Sequence, residues 1–211
     1  FVPDKVLSSG YTMPVIGIGT YALQPDVAEN SVYSALKCGY HLADTARAYW
    51  NEDGVGRGIK RAIEEGYIKR EELFVTTKVW DSDFADARGS VLESMRKLKT
   101  DYIDLMLLHQ PFSDYYGAWH ALEDLYEEGK LRAIGVSNFY PDRLVDICSF
   151  AKIRPMVNQV ETHPLNQQTE AQKWMDKYGV QIEAWAPFGE GQGGLFQNEA
   201  LAAIGAKYGK S

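Results

Sequence analysis

The sequence has few cysteines, no long hydrophobic run and no excess of basic charge. Its 211 residues include two cysteines, Cys38 and Cys148, and each lies in an apolar, helix-like segment. We therefore predict that both are free thiols in the core. The net charge of −7 argues against a nucleic-acid-binding surface, which would need a basic face. No apolar run is long enough to cross a bilayer, so no membrane partner is expected.

Several other signals are missing as well. No basic and apolar leader is seen at the printed start, and the expected location is the cytoplasm. No group of histidine, cysteine and carboxylate residues has the spacing of metal ligands, so no metal is predicted. No linker rich in proline, glycine or serine divides the chain. With 45% hydrophobic and 24% charged residues, residues 1–211 are predicted to form a single globular domain, and we expect a monomer.

Short β-branched segments alternate with longer amphipathic segments along the chain. The predicted strands are Val15–Gly19, His41–Asp44, Leu73–Lys78, Tyr102–His109, Ala133–Ser137, Met156–Val160 and Gln181–Trp185. The predicted helices are Val27–Cys38, Val55–Glu65, Ala85–Leu98, Tyr116–Glu128, Asp142–Phe150, Glu170–Tyr178 and Glu199–Lys207. The opening segment Val6–Pro14 is predicted to be a short hairpin with Ser9 and Gly10 at its turn.

Repeated strand–helix units fit either an open doubly wound sheet or a (β/α)8 barrel. The C-terminal ends of five predicted strands carry Asp44, Lys78, His109, Ser137 and Trp185. In a barrel these ends meet at one rim, where active sites are built. An open sheet would usually bind a nucleotide after its first strand, but no GxGxxG motif follows that strand here. We therefore predict the barrel, and we interpret the glycine-rich Asp53–Gly58 as the close-packed start of a helix.

Four residues near consecutive strand ends can together protonate a carbonyl oxygen. Asp44 and Tyr49 follow the second predicted strand, whereas Lys78 and His109 end the third and fourth. A tyrosine hydroxyl titrates near ~10 and is a poor acid at neutral pH. A nearby Lys78 ammonium would lower the pKa of Tyr49, and Asp44 would hold the lysine charged. His109 would then hydrogen-bond the carbonyl and orient it.

Each of these residues also has a purely structural interpretation. Asp44 and Thr45 could cap the following helix, which is a common use of such residues. Lys78 could be a solvated surface lysine, and His109 could be a loop histidine whose hydrogen bonds are satisfied. The joint pattern favours the catalytic interpretation, because successive strand ends supply all four parts. The other three histidines, which lack such support, are interpreted as structural: His41, His120 and His163.

The order of several motifs resembles the aldo-keto reductase family. The resemblance runs over essentially the whole length and rests on GYHLADTARAYWNE, LFVTTKVW, DYIDLMLLHQP, EEGKLRAIGVSNF, NQVETHP and EAWAPFGEG. It implies a (β/α)8 barrel that reduces aldehydes and ketones with NADPH, without a Rossmann domain. It further implies that Tyr49 is the proton donor, that Lys78 and Asp44 support it, and that His109 orients the carbonyl.

The same resemblance implies a set of cofactor contacts. Amide side chains such as Asn138 and Gln159 can pair with a nicotinamide carboxamide, and the resemblance adds Ser137 to them. Trp185 offers a flat face to the nicotinamide ring. Loop 187–195 offers backbone N–H groups to the pyrophosphate. The full set of expected cofactor-binding residues is Thr20, Tyr21, Asp44, Ser137, Asn138, Gln159, Trp185, Pro187, Phe188 and Gly189.

The expected substrate is a small carbonyl compound. Tyr21 and His109 are expected to face it, and Trp50, Trp80 and Trp119 are candidates for an aromatic wall. An alternative function is a non-catalytic barrel that binds a nucleotide as a sensor or scaffold. Such a protein has no need to keep Asp44, Tyr49, Lys78 and His109 together, and we therefore favour the reductase.

Two departures from the family pattern carry further expectations. Ala43 replaces a branched aliphatic residue, and strand alternation predicts that it packs against the outer helices while Leu42 and Asp44 share the other face. The printed sequence ends before an eighth strand and helix, so we expect the final barrel unit to be missing from it. The family's clamp for the adenosine 2′-phosphate would lie in that unit.

Overall fold

A parallel sheet that follows the order of the chain forms the centre of the protein. The computed structural model describes residues 4–210. In this part of the chain the strands are β1 (Asp4–Val6), β2 (Thr12–Pro14), β3 (Ile18–Gly19), β4 (Leu42–Asp44), β5 (Phe74–Val79), β6 (Leu105–Leu108), β7 (Ile134–Ser137), β8 (Val157–Glu161) and β9 (Gln181–Trp185). Strands β3 to β9 pair in sequential order, and every pair is parallel.

Helices connect the successive strands of this sheet. They are α1 (Pro25–Lys37), α2 (Glu52–Glu64), α3 (Ala87–Leu98), α4 (Tyr115–Glu127), α5 (Pro141–Phe150), α6 (Thr169–Tyr178) and α7 (Glu199–Lys207). Short 3-10 turns cover Arg47–Tyr49, Arg70–Glu72, Asp81–Asp86, Gly189–Gly191 and Leu195–Gln197. A doubly wound sheet reverses its strand order at a switch point, whereas this sheet does not. The barrel prediction is therefore confirmed over the described strands.

The hairpin and the helices agree closely with the sequence. Strands β1 and β2 are antiparallel, and Gly10 at their turn has φ +85°, a backbone region that favours glycine. The helix ends agree within one residue, but several starts lie earlier than predicted. Pro25 and Pro141 stand at the first helical position of α1 and α5, where proline is favoured. Two predicted strands are too long, because β3 begins at Ile18 and β6 at Leu105.

The structure contradicts two predictions, one about Cys38 and one about Trp119. Cys38 is exposed because it follows the last residue of α1, whereas Cys148 is buried as predicted. Trp119 lies fully buried in α4, and its indole N–H donates to the carbonyl oxygen of Ile153 at 3.1 Å. It is a core residue and cannot form part of a substrate wall. None of the helices in residues 4–210 is long and apolar enough to span a membrane.

The two faces of β4 pack against different neighbours, as predicted. Ala43 packs in a cluster with Val32 of α1 and Val55 of α2, whereas Leu42 belongs to a different cluster with Phe74 of β5. The small Ala43 side chain therefore affects helix packing. Asp44, one residue further on, points to the same side as Leu42.

Close packing explains the glycine-rich start of α2. A Cβ atom on Gly54 would lie 2.1 Å from the carbonyl oxygen of Pro25, and one on Gly56 would lie 2.3 Å from that of Lys97. These glycines let α2 approach the backbone of α1 and of α3. The segment is thus a packing element, as the sequence indicated.

The contact at Gly56 gives a test of this packing. We expect Gly56→Ala to lower the free energy of unfolding by about 1–3 kcal/mol, because backbone atoms cannot move aside easily. Without the clash, alanine in a helix would stabilise the protein by about 0.5–1 kcal/mol. Urea unfolding measures the difference. Gly19→Ala in β3 is the control for the added methyl group, since a Cβ there meets no atom within 4 Å. A Gly56→Ala protein as stable as the wild type would contradict the packing argument.

Candidate active site

Three neighbouring strands bring the four predicted catalytic residues to one end of the sheet. Asp44 is the last residue of β4, Lys78 lies next to the end of β5, and His109 directly follows β6. Tyr49 ends the 3-10 turn that follows β4. Because the strands are parallel and adjacent, these side chains converge on one rim.

Lys78 lies at the centre of this group. Its Nζ donates to Asp44 Oδ1 at 2.7 Å and to the carbonyl oxygen of Thr45 at 2.9 Å. It also lies 3.4 Å from the hydroxyl oxygen of Tyr49. An ammonium has three donors and no acceptor, so these three partners use it fully. The Lys78 side chain is 0% exposed, and the interpretation of a solvated surface lysine is therefore wrong.

Asp44 binds side chains of the barrel interior and caps no helix within residues 4–210. Its Oδ2 accepts from Lys78 at 2.9 Å and from the amide of Gln159 on β8 at 2.9 Å. The 3-10 turn and α2 that follow β4 have no side-chain cap from Asp44 or Thr45. The capping interpretation is therefore wrong, and Asp44 links β4 to both β5 and β8.

The hydroxyl of Tyr49 accepts the Lys78 hydrogen bond, which leaves its own proton free for another acceptor. Burial raises the pKa of Tyr49 above 10, and the Asp44 carboxylate adds to this, while Lys78 lowers it. The expectation of a net lowered pKa is thus wrong for the protein alone, since burial outweighs the ammonium. Tyr49 is protonated at neutral pH, which is the form that a proton donor needs.

His109 is a buried, neutral imidazole beside Tyr49. Its ring centroid lies 5.6 Å from that of Tyr49 and 5.0 Å from that of Trp80, in edge-to-face geometry. Burial and the Lys78 charge lower the pKa of His109 to about 3. Its Nδ1 is enclosed and has no partner in the described chain, which favours the tautomer with the proton on Nε2. That proton can be donated to a carbonyl oxygen.

Aromatic rings pack against Tyr49 and His109. Tyr21 packs edge-on against Tyr49 with ring centroids 5.2 Å apart, and Trp80 packs against His109. Trp50 has a left-handed backbone with φ +57° and is 74% exposed, with the Arg47 guanidinium 5.9 Å from its ring. The structure thus brings Tyr21 and Trp80 to the catalytic group, whereas Trp50, next to Tyr49 in the chain, is exposed to solvent.

The predicted carboxamide-binding residues form a hydrogen-bonded group at the ends of β7, β8 and β9. Asn138, at φ +60°, donates to the carbonyl oxygen of His109 at 3.2 Å and accepts from the Trp185 indole at 2.9 Å. Ser137 donates to the carbonyl oxygen of Gln159 at 2.9 Å. These bonds fix the Asn138 amide and the Trp185 ring next to the catalytic residues.

A cavity of about 450 Å³ opens beside Trp185. Gly189 and Gly193 of the loop after β9 line it, together with His163. The other two predicted loop residues, Pro187 and Phe188, are both exposed. The amide groups of Gly193 and Gly194 have no acceptor within residues 4–210, so they are available to an anion.

Two residues that support the site were not predicted. The Thr45 carbonyl accepts from Lys78, and the Thr45 hydroxyl donates to Asn51 at 2.9 Å. Asn51 in turn donates to the carbonyl oxygens of Thr20 and Leu23 at 2.8 and 3.0 Å. Thr20 itself is buried and donates to the carbonyl oxygen of Asp44 at 3.0 Å. An asparagine two residues after Tyr49 was the available signal, since asparagine often bonds neighbouring backbone groups.

Comparison with known proteins identifies the family of this chain. The sequence profile described as the Aldo/keto reductase family matches residues 15–203. The chain belongs to this family. It is an NADP(H)-dependent oxidoreductase that acts on the carbonyl groups of aldehydes and ketones. The reductase is supported, and the non-catalytic sensor or scaffold is not.

Similar sequences and structures span almost the whole chain. A glyoxal reductase of Bacillus subtilis is 44% identical over 97% of this chain and 74% of its own length. Methylglyoxal reductase DkgA of Escherichia coli is 38% identical over the same shares. An aldo-keto reductase of Bombyx mori in complex with NADP has a TM-score of 0.92 at 36% identity, over 100% of this chain and 77% of that one. These relatives have the (β/α)8 barrel fold, as predicted.

The Lys78–Asp44 pair gives a test of the site's energetics. We expect Lys78→Met to lower the free energy of unfolding by about 3–5 kcal/mol, because it leaves the largely buried Asp44 carboxylate without its cation. The Asp44→Asn, Lys78→Met double variant should regain part of this loss, since it removes both charges. Urea unfolding of the four proteins in this cycle yields the coupling energy. Additive effects would show that the two side chains do not interact.

The pKa of His109 gives a test of its burial. A histidine whose pKa is lowered on folding contributes stability that is present above its unfolded pKa, near ~6.5, and is lost as the pH falls towards about 3. We expect wild-type stability to fall by up to about 1.4 kcal/mol per pH unit in this window through His109 alone. His109→Gln should remove that slope, whereas the surface variant His120→Gln should keep it. Equal slopes in all three proteins would contradict a buried neutral His109.

Proposed function

We propose that Tyr49 protonates the carbonyl oxygen of a small, uncharged aldehyde while His109 orients it. The observation that carries this proposal is the 3.4 Å contact between Lys78 Nζ and the Tyr49 hydroxyl, with His109 packed beside the same ring. When bound, the nicotinamide cofactor supplies the hydride. The chain's own residues hold the carbonyl and donate the proton.

The proton transfer follows from the hydrogen bonds around Tyr49. As the proton leaves, the phenolate that forms is stabilised by Lys78, whose charge is held by Asp44. Burial lowers the pKa of Lys78, but Asp44 and Tyr49 outweigh burial, and the pKa lies above its ordinary value. Lys78 therefore keeps its charge throughout the reaction. The neutral His109 donates from Nε2 to the carbonyl oxygen and does not compete as an acid.

The residues at the ends of β7 to β9 fit a nicotinamide cofactor. Asn138 is held in a strained left-handed conformation by three hydrogen bonds, to the carbonyl of His109, the hydroxyl of Ser137 and the indole of Trp185. This is the kind of fixed amide that can face a carboxamide. Gln159 and the Trp185 ring would form the rest of the pocket. The amides of Gly193 and Gly194 would bind the pyrophosphate.

Small, uncharged aldehydes, including 1,2-dicarbonyl compounds, are the proposed substrates. Two relatives are named as glyoxal and methylglyoxal reductases. In this chain the aromatic rings of Tyr21 and Trp80 pack against Tyr49 and His109, so apolar ring surface borders the proposed carbonyl site. The cation nearest to Trp50, Arg47, is paired with Asp83 at 3.1 Å. A paired cation does not select an anionic substrate.

We further propose a cytoplasmic monomer that does not bind nucleic acid. Both cysteines are free thiols, which a reducing compartment favours. The net charge of −7 disfavours binding to phosphate backbones. Analytical ultracentrifugation would test the oligomeric state, and a dimer at micromolar concentration would contradict the proposal.

The proton-donor role is tested by Tyr49→Phe. This change removes only the hydroxyl, so cofactor binding should persist while methylglyoxal reduction falls on the order of 10²–10⁴-fold. Oxidation of NADPH, followed by absorbance, measures the rate, and quenching of tryptophan fluorescence measures cofactor binding. Tyr33→Phe, which makes the same change on the outer face of α1, is the control. A Tyr49→Phe enzyme with more than half of the wild-type rate would rule out this role.

A further inference from the structure

Glu183 lies next to Gln159, which binds the catalytic ion pair, and the proposed mechanism assigns Glu183 no part. It is the central residue of β9, and its backbone is in register with Gln159 of β8. Gln159 donates to Asp44, which binds Lys78, which contacts Tyr49. A single run of neighbouring side chains therefore leads from Glu183 to the proposed proton donor.

The Glu183 carboxyl group has the surroundings of a neutral acid. Its Oε2 is enclosed and has no hydrogen-bond partner within residues 4–210. An ionised carboxylate in such a place would be costly, because burial removes its water and Lys78 and Gln159 compensate only in part. Burial and the charge of Asp44 raise the pKa of Glu183 to about 8, although Lys78 opposes this. At neutral pH the site therefore holds one carboxylate, one ammonium and one neutral acid.

The other groups around the site do not titrate between neutral and moderately alkaline pH. The pKa of His109 is lowered to about 3, and those of Tyr49 and Lys78 are raised above their ordinary values near 10. Asp44 is the carboxylate of the ion pair itself. Glu183 is thus the group facing this site, among the described residues, whose charge changes in that range.

We propose that Glu183 is a positioning residue that must be neutral for reduction, because its ionisation adds a second carboxylate next to Lys78. With Glu183 neutral, the ammonium has one anionic partner and can stabilise the Tyr49 phenolate. With Glu183 ionised, two carboxylates compete with the phenolate for one positive charge. Proton donation by Tyr49 then becomes less favourable. This proposal rests on the proposed role of Tyr49.

The pH dependence of Glu183→Gln tests the proposal, because glutamine copies the neutral acid and cannot ionise. In the wild type we expect kcat for methylglyoxal to fall about five- to tenfold between about pH 6.5 and about pH 9. In Glu183→Gln the same pH change should lower kcat less than twofold. Glu64→Gln, the same change at an exposed position of α2, should follow the wild type. Equal declines in wild type and Glu183→Gln would overturn the proposal, as would a wild-type rate that does not fall.

A second measurement needs neither the variant nor the cofactor. Infrared difference spectra of the wild-type protein between about pH 6.5 and about pH 9.5 should show the loss of a protonated carboxyl band and the gain of a carboxylate band. The absence of this change would also overturn the proposal. The two proposals can fail separately. An active Tyr49→Phe enzyme would rule out Tyr49 as the proton donor, but the infrared titration of Glu183 would be unchanged.

Discussion

The buried ammonium of Lys78 is the charge around which the rest of the site is arranged. A lysine with a fully buried side chain would normally lose its proton, because burial disfavours the charged form. Here Asp44 binds it through both carboxylate oxygens, and the Thr45 carbonyl takes a further donor. The Tyr49 hydroxyl oxygen lies 3.4 Å from the same nitrogen. Such a pair adds little net stability over an apolar core, so its presence is better explained by function.

The fold supplies the positions of these groups. Parallel strands β4, β5 and β6 place Asp44, Lys78 and His109 at one rim without any long-range adjustment. Tyr49 needs more support, because it stands in a turn. Asn51, buried between that turn and the loop after β3, ties the two together. The glycines of α2 then let this helix pack closely against its neighbours.

The opposite end of the sheet carries a different charged cluster. Asp104, just before β6, binds Arg70 at 2.7 Å and Arg132 at 3.1 Å, and also accepts from the backbone amide of Val75. These contacts join the starts of neighbouring strands far along the chain from one another. This end of the sheet has none of the proposed catalytic residues. The charged groups at the N-terminal ends of the strands thus serve stability, and those at the C-terminal ends serve the chemistry, as is common in barrels.

Local patterns in the sequence predicted most of the architecture. Alternating β-branched and amphipathic segments predicted the order of strands and helices, and polar strand ends predicted the catalytic group. The failures arose where tertiary packing decides. Val15 and Ile16 have β-branched side chains but are exposed before β3, and Trp119 faces the core of α4 instead of the site. Neither the burial of Tyr49 nor the position of Glu183 beside Asp44 can be deduced from spacing along the chain.

The direction of the pKa shift of Tyr49 could not be predicted from the sequence either. Composition gives no measure of how much water a turn residue loses, and so the sign of the pKa shift depends on the folded environment. In the structure, burial and Asp44 raise the pKa of Tyr49, whereas Lys78 lowers it. Glu183 shows the same dependence, because its pKa is raised by burial in the folded chain and by the Asp44 carboxylate on another strand.

The central claim is that the Lys78 ammonium acts directly on the Tyr49 hydroxyl. The most direct measurement is the phenolate absorbance of Tyr49 during alkaline titration, isolated by subtracting the Tyr49→Phe spectrum, in wild type and in Lys78→Met. The account predicts that Tyr49 titrates above its ordinary value in the wild type and at a still higher pH once the ammonium is removed. An unchanged or lower pKa of Tyr49 in Lys78→Met would contradict it.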